Sequence, residues 1–74
     1  MEQVIEEKLE EIYNLQIDVE FMDFRRYVIF IPLKYGKLIN IPFEFNCKCT
    51  IDSNIKTICE MIDREIVKLY KKVG

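Results

Sequence analysis

The hydrophobic residues of this chain change their period twice, and those changes fix what it can fold into. Met1, Ile5, Leu9 and Ile12 recur three or four residues apart, while Gln3, Glu6, Glu7, Glu10 and Asn14 fall on the opposite arc. The first segment therefore reads as an amphipathic helix with an acidic outer face. From Leu15 the period becomes two: Leu15, Ile17, Val19 and Phe21 alternate with Gln16, Asp18 and Glu20, as a half-buried strand requires. After a short connection at Met22 to Phe24, Arg25 to Leu33 reads as a second strand that is apolar on both faces. Tyr27, Ile29, Ile31 and Leu33 take one side, and Val28, Phe30 and Pro32 the other. Lys34-Tyr35-Gly36-Lys37 supplies a turn in which Gly36 is free to take positive φ.

A third strand follows, with Ile39, Ile41, Phe43, Phe45, Cys47 and Cys49 on one face. Pro42 has no amide donor, which places this strand at a sheet edge or bends it. Asp52-Ser53-Asn54 then offers capping side chains, and the helical period returns with Ile55, Ile58, Cys59, Ile62, Ile66, Leu69 and Val73 as the buried stripe. Lys68, Lys71 and Lys72 suit the negative end of that helix dipole, with Gly74 beyond it.

The predicted fold class is thus α+β, in the order αβββα: a three-stranded antiparallel meander with two helices packed on one face, and residues 1–74 forming a single domain. At 74 residues one core only just offsets chain entropy, but a hydrophobic content of 50% suffices to build it. The other sheet face is then open, and shows Val28, Phe30, Pro32, Leu38 and Pro42 beside Gln16, Asp18 and Glu20. An apolar patch of this kind is a contact surface, for a different protein or for a second copy in a homodimer.

Charge is divided along the chain. The first 24 residues hold eight acids against the single base Lys8, and the remaining 50 hold ten bases against five acids, so a net charge of −2 conceals a strong polarity. Clustered like charge selects charged partners. No apolar run approaches the roughly 18 residues of a membrane span, and the acidic start is unlike a signal peptide, so the expected location is cytoplasmic. The absence of Ala and His beside abundant Ile, Lys and Asn is what AT-rich coding yields, which points to a low-GC bacterium, its phage or another mobile element.

The inventory of reactive groups argues against catalysis. There is no His, Ser53 is the lone serine, and no glycine-rich loop is present to hold phosphate, so the expectation is a non-enzymatic protein without a cofactor. Cys47 and Cys49 are two thiols at i and i+2 that could reach a soft metal with Cys59, but a fourth ligand is missing. Their position in the inward alternation reads instead as buried, reduced, small hydrophobes with no metal. Lys56, Arg64, Lys68 and Lys71 share an arc of the last helix, where phosphate contacts are conceivable. Glu60 and Asp63 interrupt that arc and the pI is near 5.1, so a solvated face is the plainer reading and direct nucleic-acid binding is the lesser one.

The order αβββα resembles that of the double-stranded RNA-binding domain, although Asp52-Ser53-Asn54-Ile55-Lys56 stands where that family carries a basic lysine cluster. In size, element order and acidic character the whole chain is similar to small inhibitor proteins of anti-CRISPR type encoded by phages and mobile elements. The resemblance implies protein–protein interaction that occludes a larger basic partner, such as a CRISPR effector nuclease. Glu6, Glu7, Glu10, Asp18 and Glu20 would then be the charged partner-binding residues and Val28 and Phe30 the apolar anchor. The basic second half departs from a uniformly acidic mimic. A nucleic-acid-binding module using the C-terminal helix and a structural homodimer are the alternative readings.

Overall fold

The computed structural model describes residues 1–33 and 36–73, the last four by backbone alone, and has the αβββα order. Helix α1 spans Glu2–Tyr13, strands β1, β2 and β3 span Asp18–Asp23, Arg26–Pro32 and Leu38–Glu44, and helix α2 spans Ile51–Val73. The strands form one antiparallel sheet in the order β1-β2-β3. Lys34 and Tyr35 of the expected turn, the side chains of Lys71, Lys72 and Val73, and Gly74 lie outside the described residues. Gly36 takes φ 73°, and the Leu33 N–H donates to the Lys37 carbonyl at 2.7 Å where the hairpin begins to open into strands.

Register follows from two hydrogen bonds at the ends of β2 and β3. Leu33 donates to Lys37, and Phe45 donates to Arg25, each at 2.7 Å. Bonded pairs recur every second residue in an antiparallel ladder, so Tyr27, Ile29 and Ile31 bond with Phe43, Ile41 and Ile39. Val28↔Pro42 and Pro32↔Leu38 are the intervening pairs, whose backbone groups point away from each other. Both prolines therefore sit where this ladder needs no donor, and Pro42 turns its missing N–H to the free edge of β3, as an edge strand allows.

The same alternation makes the core. Val19, Tyr27, Ile29, Ile31, Ile39, Ile41 and Phe43 face inward, and Ile5 and Leu9 of α1 with Ile55, Ile58 and Ile62 of α2 close over them. Both helices thus lie on one face. Burying an aliphatic side chain of this size contributes about 1.5–3 kcal/mol, which is why a strict inward row decides the register. The Tyr13 hydroxyl ties the helices together by donating to Asp63 Oδ1 at 2.8 Å and to the Cys59 carbonyl at 3.1 Å. Burial first, and those acceptors next, push its proton affinity well above the ordinary value.

Four expectations change. The first strand begins at Asp18 rather than Leu15, because Asn14 closes α1 in the left-handed region (φ 55°) and residues 15–17 form the connection. Ile12 is 57% exposed and Met1 also faces solvent; the buried line of α1 runs Ile5, Leu9 and then Tyr13. The third strand stops at Glu44, so Cys47 and Cys49 are not inward-facing hydrophobes but exposed thiols in a turn. Local side-chain bonding overrides the alternation there: Asn46 Oδ1 accepts the Lys48 N–H at 3.0 Å and the Asn46 carbonyl accepts the Cys49 N–H at 3.1 Å. Cys59 is half-buried against the core. Finally, α2 is capped by Thr50, whose Oγ1 accepts the Ser53 N–H at 3.1 Å, in place of the expected Asp52-Ser53-Asn54. Asn54 is instead buried, at 3% exposure, and its side chain clamps the β3–α2 connection.

Candidate interaction surface

With both helices on the inner face, the outer face of the sheet is open. Its rows follow from the register: Asp18, Phe30 and Asn40 lie side by side, then Glu20, Val28 and Pro42, with Pro32 beside Leu38 at one end. Val28 and Phe30 are half-buried among their neighbours, and Pro32, Leu38 and Pro42 are exposed. The carboxylates of Asp18 and Glu20 occupy the β1 flank of the apolar row, while β3 brings the neutral Asn40 and Pro42 to the other flank. Asp18, Glu20, Val28 and Phe30 are thus neighbours on one surface.

The helix acids are divided between three settings. Glu2, Glu6 and Glu10 are four residues apart and form one stripe of α1 beside β1. Glu2 Oε2 accepts the Phe21 N–H at 2.9 Å and Glu10 Oε2 accepts the Ile17 N–H at 3.4 Å. These amides point out of the sheet, so α1 supplies carboxylates to the backbone at the free edge of β1. Glu6, between them, holds its proton more tightly than an ordinary carboxyl. Partial burial is the largest cause, followed by the charges of Glu10 and Asp18, a hydrogen bond with Asp18 and the charge of Glu2. Glu7 is exposed, accepts Gln3 Nε2 at 3.3 Å, and lies on the outward side of α1, across the molecule from Val28 and Phe30. One flat surface therefore collects Asp18, Glu20, Val28 and Phe30, with Glu6 at its rim; Glu10 is engaged at the strand edge and Glu7 belongs to the opposite side.

A second apolar feature stands at the β1–β2 hairpin. Phe24 is 87% exposed and holds φ 52°, a left-handed conformation that costs a residue with a Cβ about 1–2 kcal/mol. Phe21 and Met22 beside it are exposed as well, and Arg26 fixes the turn by donating from Nε and Nη2 to the two carboxylate oxygens of Asp23, each at 2.7 Å. The sequence presents Met22 to Phe24 as a plain connection between two strands. An aromatic residue in a turn, where Gly, Asn or Pro is ordinary, is the signal that could have marked the site. Arg25, next in the chain, donates from Nη1 to Cys47 Sγ at 2.8 Å.

Among the described residues no helix is long and apolar enough to cross a membrane. No protein-family model matches the chain, and neither a curated protein nor a solved structure is significantly similar to it.

Proposed function

We propose that the protein is a non-enzymatic binding protein that docks the open face of its sheet on a larger basic partner and occludes a nucleic-acid site there. The partner class is a nucleic-acid-handling enzyme of the cytoplasm. CRISPR effector nucleases opposed by phage or mobile-element inhibitors are the leading example. One observation supports this reading above others: the register sets Asp18 against Phe30 and Glu20 against Val28, so an apolar row carries its carboxylates on one flank of an open face. Interfaces use such an arrangement, with the apolar centre supplying affinity and the charged rim steering approach. Glu6 extends the rim.

The test is capture by the immobilised protein from a lysate of its host at about 0.1 M and about 1 M salt, where charges are screened over about 10 Å and about 3 Å. Asp18→Lys/Glu20→Lys and Phe30→Asp run in parallel, with circular dichroism as the folding control. A retained basic nucleic-acid enzyme, lost in both variants and inhibited by the purified wild-type protein, is the expected result. Retention indifferent to both variants, or recovery of nucleic acid alone, overturns the reading. Doubling of the solution mass, abolished by Phe30→Asp, would assign the face to a homodimer.

A further inference from the structure

The two edges of the sheet differ in charge. On β1 the outward amides of Ile17 and Phe21 are taken by Glu10 and Glu2, and the Val19 amide between them is free among the described residues. Glu2, Glu6 and Glu10 line that edge, so a like edge brought against it would set carboxylates against carboxylates. On β3 the pairing with β2 turns the backbone of Leu38, Asn40, Pro42 and Glu44 outward, and the Leu38, Asn40 and Glu44 amides have no acceptor among the described residues. Charges of both signs stand beside β3, separated along it. Helix α2 runs antiparallel to this strand, with Ser53 and Thr57 near Glu44, and Arg64 and Lys68 near Asn40 and Pro42. At each end one charge is already matched. Asp23 takes two donors of Arg26, the cross-strand neighbour of Glu44, and Glu65 holds Lys68 at 3.1 Å. The Glu44 carboxylate and the Arg64 guanidinium are left, an acid and a base without an ion pair among the described residues, towards opposite ends of one strand edge.

We propose that β3 pairs with β3 of a second copy, antiparallel about a two-fold axis beside Ile41, joining two three-stranded sheets into one closed dimer. A two-fold contact needs a surface that is its own complement. The register that overlaps the whole of Leu38–Glu44 sets Leu38 against Glu44 of the second copy and Asn40 against its Pro42. Leu38 and Glu44 then exchange both backbone bonds, and the Asn40 amide donates to the Pro42 carbonyl, so every free amide of the edge gains an acceptor. The missing N–H of Pro42 leaves only the Asn40 carbonyl without a donor, and an under-satisfied carbonyl is the better tolerated of the two backbone groups. The same symmetry carries Glu44 of each copy to the Arg64 end of the other. The acid and the base that one copy leaves unmatched therefore face each other twice, once on either side of the axis. A foreign strand would have to carry the same two charges in the same order. The contact lies at the edge of the sheet, leaves Val28 and Phe30 uncovered, and does not depend on the function proposed above.

The experiment is a charge exchange read by sedimentation equilibrium of the full chain. The wild type should be a reversible dimer. Glu44→Arg and Arg64→Glu should each weaken it about tenfold, the scale of losing two exposed ion pairs per dimer. Glu44→Arg/Arg64→Glu together should restore the dimer, because only a partner that carries both substitutions re-forms the pairs with their signs exchanged. Both side chains are exposed, so folding is spared, and circular dichroism checks it. Amide hydrogen exchange tests the wild-type chain without any substitution: Leu38, Asn40 and Glu44 should slow as concentration rises while Val19 does not. Phe30→Asp, on the open face, should leave the dimer intact and so separates this contact from one made by the sheet face. A monomer at millimolar concentration, a dimer indifferent to both single reversals, a double variant as weak as the single ones, or concentration-dependent protection at Val19 in place of Asn40 would each overturn the proposal. So would a dimer abolished by Phe30→Asp.

Discussion

Asn54 is the residue whose replacement the structure prices most directly. Its Oδ1 accepts the Asn46 N–H at 2.8 Å, and its Nδ2 donates to the Asn46 carbonyl at 3.0 Å and to the Thr50 carbonyl at 2.8 Å. Both carbonyls keep another donor, from Cys49 and from the Asn54 amide, but the Asn46 N–H keeps none. Asn54→Ala thus removes three bonds, each contributing about 0.5–1 kcal/mol, and strands one donor at a cost of up to about 1 kcal/mol because Asn46 is exposed and water can reach it, a loss of about 2–4 kcal/mol. At about 0.05–0.15 kcal/mol per residue the whole chain holds about 4–11 kcal/mol, so this one side chain carries a large share. Asn54→Asp keeps the shape and reverses the polarity, setting a carboxylate oxygen against two carbonyls. Its cost should be about 3–5 kcal/mol at neutral pH, the range for an uncompensated buried charge. The folded state would then hold the Asp proton more tightly than the unfolded state, so stability is recovered as pH falls and lost as it rises. Urea unfolding followed by circular dichroism measures both. With a slope of about 1 kcal/mol/M, the alanine midpoint should fall by about 2–4 M. An alanine midpoint within about 0.5 M of wild type, or an aspartate deficit equal at pH 7 and in mild acid, would refute the reasoning.

Three further outcomes are expected. Glu6→Gln removes two like-charge contacts along α1, with Glu2 and Glu10, and should stabilise the fold by about 0.4–1 kcal/mol at neutral pH. Because the folded Glu6 carboxyl titrates above its ordinary value of 4.5, the wild type recovers that stability as pH falls through this range. Thermal melts from neutral to acid pH should show the advantage of the variant disappearing. Phe24→Gly relieves the left-handed strain and should raise the melting temperature by about 4–8 °C per kcal/mol recovered, unless the exposed ring packs in solution against a neighbour. Glu2→Ala/Glu10→Ala leaves the Ile17 and Phe21 amides without acceptors; analytical ultracentrifugation should show concentration-dependent association beyond that of the wild type.

The sequence made the element order and the faces legible because both rest on periodicity. Ile29, Ile31, Ile39 and Ile41 could not slip by one residue without turning the core outward, and Ile5, Leu9, Ile55, Ile58 and Ile62 fit no other stripe. Periodicity misleads where it persists by coincidence. Phe45, Cys47 and Cys49 continue the alternation of β3, but the side chains of Asn46 and Asn54 bond to the backbone and turn the chain away. Leu15 likewise keeps the period of a strand that has yet to begin. In the candidate surface, Asp18, Glu20, Val28 and Phe30 were readable from alternation alone. The division of Glu6, Glu7 and Glu10 was not, because it depends on how α1 sits against β1, a tertiary fact with no local signature.

The engagement of Glu2 and Glu10 at β1 also bears on the growth of the sheet at that edge. A sheet with two competent edges can grow at both, as a polymer does; a sheet with one is a chain terminator. At the β1 edge an incoming strand would find the outward Ile17 and Phe21 amides already taken and only the Val19 amide between them free among the described residues, so α1 discourages growth of the sheet on that side.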